Sequence, residues 1–322
     1  STEAAEVNLV DPASGGVYAE VEALGPGTVR PMPVDVGSGR YAFRCLLEDT
    51  DAFTGPVVRV AGHASGAAAI VPVTEQDLVG PAREYHAYVT AGLAVLTRQV
   101  TALAADVRAG RLARARAAWL AAHLTYERLG AAYGTFGDFD GEIDGRADGL
   151  VGGVHSSQFT GFYRLEYGLW HGQDARQLGG PAAGLRRDVL ALRKAFPAME
   201  IDLLDVGLRT HEILENALQF QLTGHDDYGS GSTLATTAAN ITGTWELLKI
   251  LHPILVTRYA GLAAATGWLT RLRRLIDAQD HGGRWSPVTS LPALTRQRID
   301  AAASQALQEL APIAVITEPR RT

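Results

Sequence analysis

The strongest constraint on this chain is a succession of long segments after Thr74 in which apolar residues recur every three or four positions, a spacing that only helices bury on one face. Helices are predicted over residues 78–107, 112–133, 158–170, 181–194, 199–222, 232–265, 268–278 and 291–310. Thr74 supplies a capping residue with an early acid at Asp77, and Ala109-Gly110 ends the first helix. Pro81 falls in the first turns, where proline is tolerated, and Pro253 is expected to kink the 232–265 helix. So many helices with so few strands among them point to a mainly α fold, a helical bundle.

The first 62 residues read differently. Residues 17–24, 29–36, 41–47 and 57–60 carry β-branched and aromatic side chains, separated by Gly25-Pro26-Gly27, Gly37-Ser38-Gly39 and Thr54-Gly55-Pro56. The expected organisation is a small β unit over 1–62, a linker over 63–73 and a helical domain over 74–322. A net charge of −6 argues against a nucleic-acid surface and is compatible with cation handling. One cysteine, Cys45, excludes an internal disulfide and any cysteine-based zinc or iron–sulfur site. No run approaches the roughly 18 apolar residues of a membrane span, and no signal peptide opens this stretch; removal of a leader ahead of Ser1 is compatible with both.

Chemistry concentrates between Trp119 and His171. His123 and Glu127 lie one turn apart beside the stripe of Trp119, Ala122, Tyr126 and Leu129, so that the pair can grip one ion. Glu166 occupies a position on the face of Phe159, Phe162 and Leu169 where an apolar residue is expected, with Tyr163 one turn earlier; a carboxylate there needs a partner. Further on, Ile201, Leu204, Leu208, His211, Glu215, Leu218 and Leu222 step alternately by three and four, which predicts that His211 and Glu215 point inward. Taken alone, an i,i+4 His/Glu pair is more often a hydrogen-bonded pair than a ligand set.

Several chemistries are excluded or weakened. The loop acids Asp138, Asp140, Glu142, Asp144 and Asp148 resemble a calcium loop, but counting from Asp140 the twelfth position is Val151 where a bidentate Glu is required. Glu215 stands where a His-Glu-x-x-His zinc motif needs its second histidine, and the Glu-x-x-His of di-iron bundles is missing. The N-terminal unit has no histidine before His63 to join Cys45 in a copper site.

Tyr126-Glu127-Arg128, Gly137-Asp138-Phe139-Asp140, Ile143-Asp144-Gly145-Arg146, Gly161-Phe162-Tyr163-Arg164-Leu165-Glu166-Tyr167-Gly168-Leu169 and the segment from His211 to Gln219 together resemble the imelysin-like family, closest to its EfeO-type iron-uptake branch. The resemblance runs from about residue 74 to the C-terminus. It implies an imelysin-like bundle preceded by a small, partial cupredoxin-like β unit, an exported or surface-held protein, and capture of iron for a membrane ferric permease that works with a haem-dependent, dye-decolorising type peroxidase. A metallopeptidase is the alternative the family carries. By the same resemblance Glu127, Glu166 and an acid of the loop, Asp148, are metal-ligand candidates. His123, His211 and Glu215 join them from spacing. The family's Gly-x-His-x-x-Glu motif has Tyr163 in place of its histidine here. A phenolate favours ferric iron, with zinc or copper as other possible ions.

Overall fold

Alternating apolar residues draw the N-terminal segment into an antiparallel sheet, of which the central strand is β1 (Ala5–Val10). It pairs with β2 (Val17–Leu24) on one side and β3 (Gly39–Leu47) on the other. Two short strands, β4 (Phe53–Thr54) and β5 (Val58–Val60), pair with successive lengths of β3. Val10, Val17 and Ala42 form its small core, and Tyr18 packs edge-on against Tyr41 at 5.0 Å. Residues 29–36, expected as a strand, form none, because Pro31 and Pro33 remove alternate ladder donors. β1, over residues given no strand from sequence, lies between β2 and β3.

The computed structural model describes residues 4–47, 51–62, 66 and 68–320; of the expected linker, His63, Ala64, Ser65 and Ala67 lie outside them. The chain forms two units, one of Ser1–Leu78 with Ile316–Thr322 and the other Val79–Val315. In the first, Val17 bridges to Ile70 and Val73 to Pro319, and Arg320 donates to both carboxylate oxygens of Glu20 at 2.8 and 2.9 Å.

The second unit is helical, with the start of its first helix and the end of its last counted in the first unit: α1 (Glu75–Arg108), α2 (Leu112–Glu127), α3 (Tyr133–Phe136), α4 (Asp138–Asp144), α5 (Gly161–Trp170), α6 (Ala175–Ala195), α7 (Leu203–Asn216), α8 (Thr233–Leu255), α9 (Leu262–Asp277) and α10 (Ala293–Thr317). Local chemistry sets several ends. Asp174 and Gln177 close a capping box on α6, and Thr74 and Asp77 bond reciprocally at the start of α1. α8 is apolar almost all round and packs against α2, α7 and α9, which makes it the core of the bundle. Leu234, Leu247, Leu251 and Leu255 on it are fully buried, positions where truncation to alanine costs about 2–5 kcal/mol. Among the described residues no helix is long and apolar enough to cross a membrane.

Three departures from the expected elements matter for the site. The helix expected over 112–133 ends at Glu127, and the acidic stretch after Gly134, expected as a loop, folds into α3 and α4. The helix expected over 232–265 stops at Leu255, two residues beyond Pro253. The helix expected over 199–222 finishes in a wider π-helical turn over Ala217–Gln221. Its buried face is also rotated: Val206, Thr210, Ile213 and Leu214 are buried whereas Leu204 is 48% exposed.

Candidate metal centre

Burial of Trp119, Ala122 and Tyr126 fixes the rotation of α2, and that rotation turns His123 and Glu127 inward as well. The Trp119 Nε1–H donates to the Phe162 carbonyl at 2.8 Å and ties α2 to α5. His123, 1% exposed, lies between the rings of Trp119 and Phe162, with centroids 5.0 and 5.1 Å away. Its Nε2 is 2.9 Å from Glu127 Oε1 and 3.1 Å from Asp144 Oδ1. Nδ1 has no hydrogen-bond partner among the described residues, so tilted aromatic contacts and the two carboxylates at Nε2 hold the imidazole.

Two glycines bring the other elements close enough. Gly161 opens α5 at φ +76°, where a Cβ would sit 2.1 Å from the Ile143 carbonyl oxygen; without one, the end of α4 packs onto α5 and Asp144 reaches His123. On α8, a Cβ at Gly243 would lie 2.7 Å from the Arg128 carbonyl oxygen, so this glycine lets α8 approach the end of α2. One turn earlier, the side-chain amide of Asn240, oriented with its nitrogen toward α2, donates to Glu127 Oε2 and to the Glu127 carbonyl, both at 2.9 Å.

Glu127, Asp144 and Asn240 line a cavity of about 270 Å³ together with Asp140, Arg146, Tyr163 and Asp226; His123 is not in its lining and reaches it only through the two carboxylates at its Nε2. The Tyr126 hydroxyl donates to Asp140 at 2.5 Å. Asp226, 3% exposed, accepts from Gln221 at 2.8 Å and from Arg146 at 3.3 Å, and the Arg146 guanidinium lies 3.6 Å over the Phe220 ring. The Tyr163 hydroxyl stands 3.5 Å from Asp226.

The electrostatics are those of acids crowded out of water. Burial works against a charged His123, but Asp144 and Glu127 outweigh it and hold the imidazole well above its usual range. Burial pushes the Asp144 carboxyl up, with Glu127 and Asp140 adding to the effect and His123 opposing it. Asp140 is raised to about 6, chiefly by burial. Burial and the neighbouring acids likewise raise the Tyr163 phenol. In effect the cluster holds protons where a cation would fit, and a cation entering it would release them. One ring nitrogen and two carboxylate oxygens, all within 4.8 Å of one another, form a mixed donor set of the kind suited to iron or zinc.

The structure brings together only part of the set expected from sequence. His123 and Glu127 converge, and Tyr163 lines the same cavity. Glu166, 1% exposed, accepts the backbone N–H groups of Tyr228 and Ser230 at 3.2 and 3.0 Å and lies outside the three-residue cluster. Its partner is a loop. Asp148 is a surface acid, 53% exposed and 3.3 Å from His225 Nε2; the loop acid that reaches His123 is Asp144, one helical turn earlier. Of the inward placement expected of His211 and Glu215, that of Glu215 is corrected, since it is exposed, whereas His211 is half-buried with its Nδ1 shielded and unpartnered among the described residues; neither lines the cavity, because the buried face of α7 is the rotated one. Among the loop acids sequence reasoning chose Asp148 over Asp144, and it missed Asn240 and Asp226. Asp140 and Asp144 form an i,i+4 acid pair, and Asn240 interrupts an apolar helix; both were usable signals. Asp226 follows an irregular turn and carries none.

A helical bundle with an imidazole and two carboxylates converging in its interior is what the chain's relatives can be compared with. The family model described as Imelysin (Peptidase_M75) matches residues 81–313, and the chain belongs to that family. It is similar to the iron uptake system component EfeO of Yersinia pseudotuberculosis serotype I (strain IP32953), 30% identical over 239 residues that cover 74% of this chain and 62% of the relative. The EfeO of Escherichia coli (strain K12) is 29% identical over 244 residues, with the same coverage of each. The chain thus spans about 62% of the length of the curated relatives it matches.

Proposed function

We propose that this protein is an extracytoplasmic iron-binding component of an uptake system, which captures the ion in the cavity at His123, Glu127 and Asp144 and delivers it to a membrane ferric permease working with a haem-dependent peroxidase. The observation that carries this reading is the convergence of one imidazole with two carboxylates that line a polar cavity, in a chain whose relatives are named for iron uptake. Glu127 and Asp144 supply two negative charges, His123 a neutral nitrogen once its proton leaves, and Asn240 keeps Glu127 aimed. For a ferric ion Tyr163 is the proposed further ligand: its raised phenol proton yields to a highly charged ion far more readily than to a divalent one. The ion is cargo, and no bond of it is made or broken beyond coordination. The N-terminal sheet is read as an accessory docking element, since the proposed ligands all lie on the helical unit.

Calorimetric titration of the iron-free protein with iron tests this. Saturable binding that Glu127→Ala with Asp144→Ala abolishes is the expected result; unchanged affinity in the double variant refutes the site. A metallopeptidase is the second reading, favoured by the family's Peptidase_M75 designation. Cleavage of an unfolded protein by the metal-loaded chain, lost with Glu127→Ala, would put it first.

A further inference from the structure

Away from the metal centre, a second cleft of about 470 Å³ lies between the start of α5 and one face of α6. Arg164 lines it, half-buried, without an ion pair or a side-chain hydrogen bond among the described residues, and its Nη1 is shielded from solvent with no partner. The side-chain oxygen of Gln173, on the same cleft, is likewise buried and unpartnered. The other cation there is already neutralised: Arg187 donates to Asp188 at 2.9 and 3.3 Å. Arg164 therefore contributes an uncompensated positive charge to a concave site, in a chain of net charge −6.

The wall provided by α6 is open by composition. Gly180 and Gly184 stand one turn apart on it, and a Cβ would meet nothing within 4 Å at Gly180 and only the Arg187 Nη2, at 3.8 Å, at Gly184. Both glycines weaken a helix relative to alanine, and neither is required by close packing. What they preserve is the volume of the cleft. Val154 and Pro181 give it apolar surface, and Ser157 adds a hydroxyl that makes no hydrogen bond among the described residues.

We propose that this cleft binds a small organic carboxylate, its charged end on Arg164 and its carbon skeleton over Val154 and Pro181. The volume falls in the range of small-molecule sites, well beyond the needs of a bare inorganic anion. A guanidinium fork matches a planar carboxylate, and its unmatched burial gives the ligand a charge to complete.

Calorimetry on the iron-free full chain, with succinate and inorganic phosphate as probes, tests the proposal. Saturable succinate binding is expected, weakened at least tenfold by Arg164→Met, which keeps an apolar stem while removing the charge. Gly184→Leu fills the cleft from an ordinary helical position with open space and is expected to block succinate while the circular-dichroism spectrum stays that of the parent chain. Both variants are expected to keep their iron affinity, so the result stands apart from the metal centre. No saturation up to about 10 mM succinate, equal affinity in Arg164→Met, or binding of phosphate alone would each overturn the proposal.

Discussion

Replacing Glu166 by glutamine separates a loop-holding carboxylate from a metal ligand. Both backbone bonds, from Tyr228 and Ser230, go to the same oxygen, Oε1, so a glutamine with its oxygen in that place keeps both. What it removes is the ionisation. Burial is the largest influence on this carboxyl and raises it from 4.5 to about 7, against the opposing pull of the Ser230 bonds. Between those values the native state binds the proton that the unfolded chain has released, so stability is full below about pH 4.5 and falls as pH rises to about 7. At 1.36 kcal/mol per unit, a rise of about 2.5 units amounts to roughly 3 kcal/mol. Urea unfolding of the iron-free protein from pH 4.5 to 8 should therefore show Glu166→Gln gaining on the parent by about 3 kcal/mol across that window, with iron affinity unchanged. Parallel stability curves would refute the burial argument. Lost iron binding would return Glu166 to the ligand set.

The remaining predictions concern the cavity itself. Asn240→Leu takes both amide bonds from Glu127 and should weaken iron binding about 10–100-fold without abolishing it, as titration calorimetry would show; undiminished affinity would mean that Glu127 is aimed by other contacts. The ferric complex should carry a visible phenolate-to-iron absorption that Tyr163→Phe removes. A band that survives in the variant would assign it to another phenol of the cavity, Tyr133 being the candidate.

Much of this was legible because long helices write their buried face into sequence. The stripe of Trp119, Ala122 and Tyr126 carries His123 and Glu127 inward with it, and the structure has α2 in that rotation. Short elements are another matter. α4 has seven residues and a single buried apolar side chain, Ile143, too little to display a period, so sequence could not say that Asp144 faces His123 while Asp148 faces water. On α7 two apolar stripes overlap, and tertiary packing selected the one through Val206, Thr210 and Ile213 over the alternating stripe that holds His211 and Glu215. In the sheet, composition favoured 29–36 as a strand, whereas the missing N–H groups of Pro31 and Pro33 decided against it. Asn240 shows in sequence only as a polar break in an apolar helix, without its partner, and Asp226 acts through a contact between distant segments that no local pattern records.

The most direct test of the central claim is the anomalous scattering of an iron-soaked crystal, measured on both sides of the iron absorption edge. The account predicts a peak in the helical unit bonded to His123 Nε2 and to carboxylate oxygens of Glu127 and Asp144, with Tyr163 facing it across the cavity. A peak at Asp148 and His225, at Glu166, or beside His211 and Glu215, with the cavity left empty, would contradict it.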